Sequence, residues 1–380
     1  MRRKVEFFKH NIGREEIERV ESVLQSIFIT TGAEVSEFEE RLASYLGLPF
    51  TAAVTSCTAA MQLALQAAGI GEGDEVITTP LTFVGTPNSV IMAGGTPVFA
   101  DVERETGNID PAAIESAVTE RTRAVMPVHL YGQMCDMERI REIADRHGIA
   151  VIEDAAHSLE SEWNGKKSGH YGDFACFSFY ATKNITSGEG GAISAKDEKT
   201  IDLLRKLRLH GLETDAAERY TGHFQQYDVA HFGWKYNMDN IHAAILIEQI
   251  KRVDGLLQRR REIYGIYREA FEEVEGIDLQ TTRPEASHAC HLFTILVDPA
   301  KRDRVMKGIQ ESGIGVSINF RPIHLMTYYR ERFGLTPGMY PVAEEIGSRT
   351  ISLPLYPKLT DEEIEYVTST VIDIVRSSRD

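Results

Sequence analysis

The sequence is short of basic residues, of cysteine and of long apolar runs, and each shortage excludes something. Lys and Arg number 41 against 57 Asp and Glu, a formal net charge of −16. Phosphate backbones are held by clustered Lys and Arg, so nucleic acid is not an expected partner. No stretch approaches the ~20 uninterrupted apolar residues of a membrane span. The opening MRRKVEFFKHNIGREEIERV has basic residues but no apolar core of a secretory leader, so a cytoplasmic protein is expected. The four cysteines, Cys57, Cys135, Cys176 and Cys290, are far apart and form no Cys-x-x-Cys pair. That argues against a zinc ribbon and a disulfide framework. "HACH", from His288 to His291, is a weak metal signal because no second ligand cluster with zinc spacing follows, and no metal is expected. No glycine-rich turn follows the first strand, where "TSCTAA" stands, and "GIGEG" (69–73) follows a helix. A nicotinamide oxidoreductase would need that turn.

What is present is an alternation of short apolar runs with helical stretches. Ile17, Val20, Leu24 and Ile27 recur at helical spacing. "FTAAVTS" (50–56) reads as a buried strand, and 58–69 as a helix ended by Gly69. "DEVITT", "TPVFADV", "TRAVMPVHL", "IAVIEDAA", "FACFSF" and "GGAISA" add further strands, with helices such as "DMERIREIADRHG" between them. Continuous apolar strands separated by helices imply an α/β fold with a mainly parallel sheet covered on both faces. A helical region follows over about 238–275, then "HLFTILVD", a helix near 301–312 and "GVSINF". The length fits a large domain over 1–250 and a smaller C-terminal α+β domain over 251–380.

Chemistry concentrates in a few places. Asp154 ends the apolar run of "VIEDAAHS", and ligands of parallel sheets bind beyond the carboxyl ends of the strands. The plain alternative is a helix cap. Ser56, Cys57 and Thr58 stand where a strand turns into a helix, and free N–H groups there suit a phosphate. Lys183 sits in "FSFYATKNITSGEGG", five residues after Ser178, on a short turn between buried strands. Desolvation there would lower its pKa, as condensation with an aldehyde requires. A lysine for an aldehyde, an acid for a pyridine nitrogen, a phosphate cradle and a flat side chain such as Phe83 are together what pyridoxal 5′-phosphate needs. Phe83 packed in the core is the alternative.

These motifs, with "ITTGAEVSEFEERLASYLG", "PVHLYGQMCDM", "GWKYNMDNIHAAI" and "SLPLYPKLTDEEI", make nearly the whole chain resemble the DegT/StrS family of nucleotide-sugar aminotransferases. The resemblance implies the type I fold of pyridoxal-phosphate transferases, with a seven-stranded sheet in the large domain. It implies that Lys183 joins the cofactor aldehyde and that Asp154 holds the pyridine nitrogen. His157 would lie near the phenolic oxygen, or simply pack behind the site. Cys57, Thr58 and Ser178 would hold the phosphate. Asn237 would reach the phosphate of a neighbouring subunit in a homodimer, or cap the helix starting at 239.

The implied reaction passes the amino group of L-glutamate to a nucleotide-linked keto sugar. "WKYNMDN" resembles the C4-aminating branch, and "NFRPIHLMTYYRERFG" the enzymes forming UDP-4-amino-4-deoxy-L-arabinose. Arg321 and His324 are accordingly candidates for contacts to sugar or diphosphate, with a surface ion pair as the alternative for Arg321. Phe83 stands where the arabinose enzymes have tryptophan, Asn319 replaces a common histidine, and "FYATKNITSGEGG" looks more like enzymes of 6-deoxyhexoses, so the sugar stays open. Related dehydratases carry histidine in place of the lysine. A sensory protein without turnover would be expected to lose Lys183 or Asp154. Amination at C3 is the remaining enzymatic alternative.

Overall fold

A computed structural model of the chain describes residues 4–213 and 228–378. The chain starts with α1 (Arg14–Gln25) and α2 (Ala33–Leu46). It continues with β1 (Phe50–Val54), α3 (Cys57–Ala67), β2 (Glu75–Thr78), α4 (Gly85–Met92), β3 (Thr96–Phe99) and α5 (Pro111–Ala117). Next come β4 (Thr122–Met126), α6 (Met137–His147), β5 (Ala150–Asp154), β6 (Phe174–Ser178), β7 (Gly191–Ala195) and α7 (Glu198–Leu207). The seven strands form one sheet in the order β1-β7-β6-β5-β4-β2-β3. Only β7 runs against its neighbours, pairing antiparallel with both β1 and β6. The mainly parallel seven-stranded sheet of the type I fold is therefore present.

Strand residues alternate between two apolar layers, as a pleated sheet buried on both faces demands. Ala52, Val54, Cys176 and Ile193 pack toward α3 and α7 with Met61, Leu63 and Leu204. Ala53, Ala175 and Phe177 pack toward α2 with Phe38 and Leu42, and toward α8 (Asn240–Ile250) with Leu246 and Ile247. The helical region expected over 238–275 is two helices, α8 and α9 (Val253–Phe271).

A second core joins Ile263, Tyr267 and Phe271 of α9 to a two-stranded antiparallel ribbon, β8 (Phe293–Leu296) and β9 (Thr350–Leu353). Flanking it are α10 (Arg302–Glu311) and the terminal helix Asp361–Ser377. Val5 belongs to this core, and its backbone bridges Ile314. "GVSINF" forms no strand of its own: Ser317 bridges Ser352 singly, so the segment ends as a loop.

Helix α1 forms where its periodicity puts it, but its stripe points outward. Ile17, Leu24 and the following Ile27 are 62%, 59% and 92% exposed. Its buried residues are Glu16 and Val23.

Candidate active site

The carboxyl ends of the strands meet at one edge, and the sheet register sets which residues face each other there. Asp154 pairs with Cys176 across β5 and β6, while Gly191 of β7 pairs with both Ser178 and Val54. The strand-to-helix turn after β1 and the end of β6 are thus held side by side by β7.

Lys183 lies on the connection between β6 and β7, and local chemistry makes that connection rigid. The Thr186 hydroxyl donates to the Phe179 carbonyl at 3.0 Å and accepts from the Gly188 N–H at 2.9 Å. Gln249 of α8 clamps Thr186 from both sides, accepting from its N–H at 3.1 Å and donating to its carbonyl at 2.7 Å. Phe179 is buried edge-on against Phe38, 5.3 Å away. The Lys183 N–H donates to the Tyr180 carbonyl at 2.9 Å, turning its side chain out of the strand path. Desolvation brings the Lys183 amine down to about 8, against the opposing pull of Cys57 and Asp154.

Asp154 is buried and feels the Lys183 charge in turn. Burial raises its pKa. The opposing influences are a hydrogen bond from the Thr86 hydroxyl at 2.8 Å, one from the Ala156 N–H at 3.1 Å, and the charges of Lys183 and His129. Asp154 caps no described helix; its carboxyl oxygens take the Thr86 hydroxyl and the Ala156 N–H instead. Thr86 carries no motif in the sequence; only the packing of α4 against the sheet reveals it.

The turn after β1 has the backbone geometry that the sequence implied for it. Ser56 caps α3, its hydroxyl accepting from the Ala59 N–H at 3.1 Å. The N–H groups of Cys57 and Thr58 lie in the first turn, where a helix offers no internal partner. The Cys57 thiol turns away, donating to the Cys176 carbonyl at 3.3 Å, and burial pushes its pKa well up. A Cβ on Gly191 would stand 2.3 Å from Ser56 C and 2.6 Å from Cys57 N, so only glycine admits this approach. Asn237 bridges Val54, and its side-chain amide donates to the Thr31 hydroxyl at 2.7 Å. The helix that follows is capped by Asp239, not Asn237.

Above the edge lie rings from distant parts of the chain. Phe83 is exposed rather than packed in the core. Phe320 stands 6.4 Å from Phe83, 6.4 Å from Tyr131 and 6.0 Å from His157, whose ring it parallels within 11°. Its loop is tied down by the Ile323 N–H donating to the Pro80 carbonyl at 2.8 Å and by the Tyr131 hydroxyl donating to the Asn319 carbonyl. His157 Nδ1 is buried without a hydrogen-bond partner, and burial followed by the Lys183 charge keeps the ring well below the usual histidine range. Arg321 is exposed at this rim, donating to the Leu325 carbonyl at 3.1 Å rather than to an acid. His324 is not brought to the rim: it is fully buried beside Tyr340, with Nε2 2.9 Å from Glu344. In "HACH", His288 accepts from the Cys290 N–H, and His291 faces His157 at 4.3 Å.

The residues fit pyridoxal 5′-phosphate. There is an amine of lowered pKa, a buried carboxylate coupled to it, a helix start with free N–H groups, an exposed ring and an unpartnered imidazole nitrogen. Fold and site together define a type I pyridoxal-phosphate enzyme.

The chain belongs to the DegT/DnrJ/EryC1/StrS aminotransferase family, matched over residues 10–372, and is a sugar aminotransferase. It is 43% identical over 373 residues to the spore coat polysaccharide biosynthesis protein SpsC of Bacillus subtilis, covering 97% of this chain and 96% of that one. The pyridoxal-phosphate form of Spr1654 from Streptococcus pneumoniae superposes with a TM-score of 0.93 at 30% identity, covering 100% of both chains. PseC of Helicobacter pylori, an aminotransferase involved in pseudoaminic acid biosynthesis, gives 0.92 at 27% identity over 99% of this chain and 100% of its own.

Proposed function

We propose that the enzyme transfers the amino group of L-glutamate to the C4 carbonyl of a nucleotide-linked keto sugar, giving a 4-amino sugar nucleotide and 2-oxoglutarate. The observation that carries the reading is the pair of buried groups, the Lys183 amine lowered by desolvation and the Asp154 carboxyl held by Thr86 and the Ala156 N–H, each feeling the other's charge. Pyridoxal 5′-phosphate, when bound, supplies the electron sink that makes the donor Cα–H acidic. Asp154 is assigned to keep the ring nitrogen protonated, with Thr86 and the Ala156 N–H fixing its carboxylate. Lys183, at about 8, holds enough free base near neutral pH to take the Cα proton and enough acid to return it. Phe83 is assigned to cover one face of the ring, and His157 to meet its phenolic oxygen. The N–H groups of Cys57 and Thr58, with the Ser178 hydroxyl, are assigned to the phosphate. Arg321, exposed beside Phe320, is assigned to the sugar diphosphate.

A homodimer completes the reading. Its support is the outward apolar stripe of α1, since a contiguous exposed apolar patch marks an interaction surface. In such a dimer Asn237 would serve the phosphate of the neighbouring site. Among the described residues no helix is long and apolar enough to cross a membrane, which is compatible with work in the cytoplasm on polysaccharide precursors.

The test is incubation with L-glutamate and a panel of UDP-, GDP- and dTDP-linked 4-keto sugars, locating the new C–N bond by NMR. Borohydride reduction and peptide mass mapping in parallel should find the cofactor fixed to Lys183. Amination at C3 would correct the position. No amination of any sugar, or a label on another lysine, would overturn the assignment.

A further inference from the structure

Behind Lys183, a set of buried polar groups runs toward the protein surface, and the steps above do not use it. Lys183, His157, His291, Asn184 and Glu160 line one small cavity. His291 Nδ1 lies 3.1 Å from Asn184 Oδ1. Asn184 Nδ2 donates to Glu160 Oε2 and to the Ala289 carbonyl, each at 3.0 Å. Glu160, Asn184 and His291 are only 2%, 8% and 5% exposed. The other carboxylate oxygen, Glu160 Oε1, has no hydrogen-bond partner and Glu160 borders a surface cleft shared with Lys167, Asp254 and Arg261.

Counting donors and acceptors fixes where the protons are. A backbone carbonyl and a carboxylate only accept, so the amide nitrogen of Asn184 must face both of them. Its oxygen is then left facing His291, and an amide oxygen only accepts. His291 must therefore carry a proton on Nδ1, and a neutral ring then keeps its lone pair on Nε2. We propose that Glu160 and Asn184 are positioning residues that lock His291 as the neutral Nδ1–H imidazole, so that the ring in the wall of the Lys183 cavity is neutral instead of an imidazolium.

Electrostatics favours the same state. Burial first, then the charges of His157, Lys183, Arg260 and His288, hold His291 well below the usual histidine range. At the other end, burial raises the Glu160 carboxyl, opposed by the Asn184 hydrogen bond and by the charges of Arg260 and Lys167. A cation at His291 would repel a proton on Lys183, whereas a neutral ring lets the lysine gain and lose one. The inference rests on the transamination reading only for its effect on rate. The proton on Nδ1 stands on the buried network alone, and burial with the neighbouring charges keeps the ring neutral.

The experiment uses the full-length chain labelled at its histidine rings, with and without pyridoxal phosphate, and reads the tautomer from ring nitrogen and carbon shifts. The His291 signal is assigned by its loss in His291→Gln. The expected form is neutral Nδ1–H across about pH 6–8. Glu160→Gln keeps a carbonyl acceptor and should retain that form. Glu160→Leu removes one of the two acceptors that orient the amide and should admit a fraction of the Nε2–H form, the Ala289 carbonyl holding the rest. Asn184→Asp puts a carboxylate against the ring and favours the imidazolium. In that variant kcat should fall several-fold at low pH and recover as pH rises through the raised histidine pKa, with little change in KM for glutamate. A wild-type ring without a proton on Nδ1 overturns the proposal, and a Glu160→Leu spectrum like wild type overturns the part given to Glu160, leaving the lock to Asn184 and the Ala289 carbonyl. Should Glu160→Leu not fold, a loss of rate in Asn184→Asp that is equal at every pH overturns it as well.

Discussion

Replacing Thr86 by valine removes one hydroxyl beneath the site and leaves its shape nearly unchanged. Thr86 is buried on α4, donates 2.8 Å to Asp154 Oδ2 and shares a 2.9 Å contact with the Thr82 hydroxyl. A hydrogen bond to a charged group contributes about 1.5–3 kcal/mol net. In the cofactor-free chain Asp154 can respond to its loss by keeping a proton. An acid with a raised folded pKa binds more protons folded than unfolded above the ordinary 3.8, so its contribution to stability falls as pH rises through that window. Thr86→Val moves the upper edge of the window higher. With pyridoxal phosphate bound, the anion is needed against the ring nitrogen proton, so the loss should appear as roughly 10- to 100-fold weaker cofactor affinity. The loss should be greater at low pH, where the variant carboxyl is protonated. Titrating the cofactor-free chain with pyridoxal phosphate by absorbance, across pH, measures this. An affinity within about twofold of wild type at every pH would show that Thr86 only fills space and that Asp154 does not depend on it.

Other perturbations test separate parts of the structure. The Lys183 pKa of about 8 lies below the ordinary 10.5, so the unfolded chain binds more protons between those values and the folded state should gain about 3 kcal/mol as pH rises through them. Denaturant unfolding of the cofactor-free chain against Lys183→Met should show that gain in the wild type alone, and parallel pH curves would place the amine in water. Gly191→Ala should weaken phosphate and cofactor binding at least tenfold, because the new methyl meets backbone at Ser56 and Cys57 that cannot give way; isothermal titration with wild-type affinity would refute the close approach. Leu24→Glu with Ile27→Glu should turn a dimer into monomers in sedimentation while leaving thermal unfolding of the monomer unchanged, since both side chains are exposed. An unaltered dimer would move the interface elsewhere.

Much of the architecture follows from local pattern. Apolar runs such as "AVIED" and "FACFS" can only be satisfied by burial on both faces, and the caps at Ser56, Asp136 and Asp197 mark where helices begin. Lys183 and Asp154 stood out for a related reason: Asp154 is a charge that ends an apolar strand and Lys183 one on the short turn between two of them, where a neighbour in space is implied. Tertiary structure alone decided the rest. Periodicity says that α1 has an apolar stripe but not which way it faces, and it faces out. Thr86 carries no local signature, and the motifs that contain Phe320, Asn184 and His291 do not say what those side chains meet, because each meets the site through sheet register, helix packing or a loop far along the chain. His324 shared a motif with Phe320 and Arg321, yet its ring went inward to Glu344, since side-chain direction on a loop depends on what the neighbouring helix offers it. Repeating patterns along a chain specify which surfaces must be buried, while the partners of single polar groups are set by the three-dimensional order of the elements that bury them.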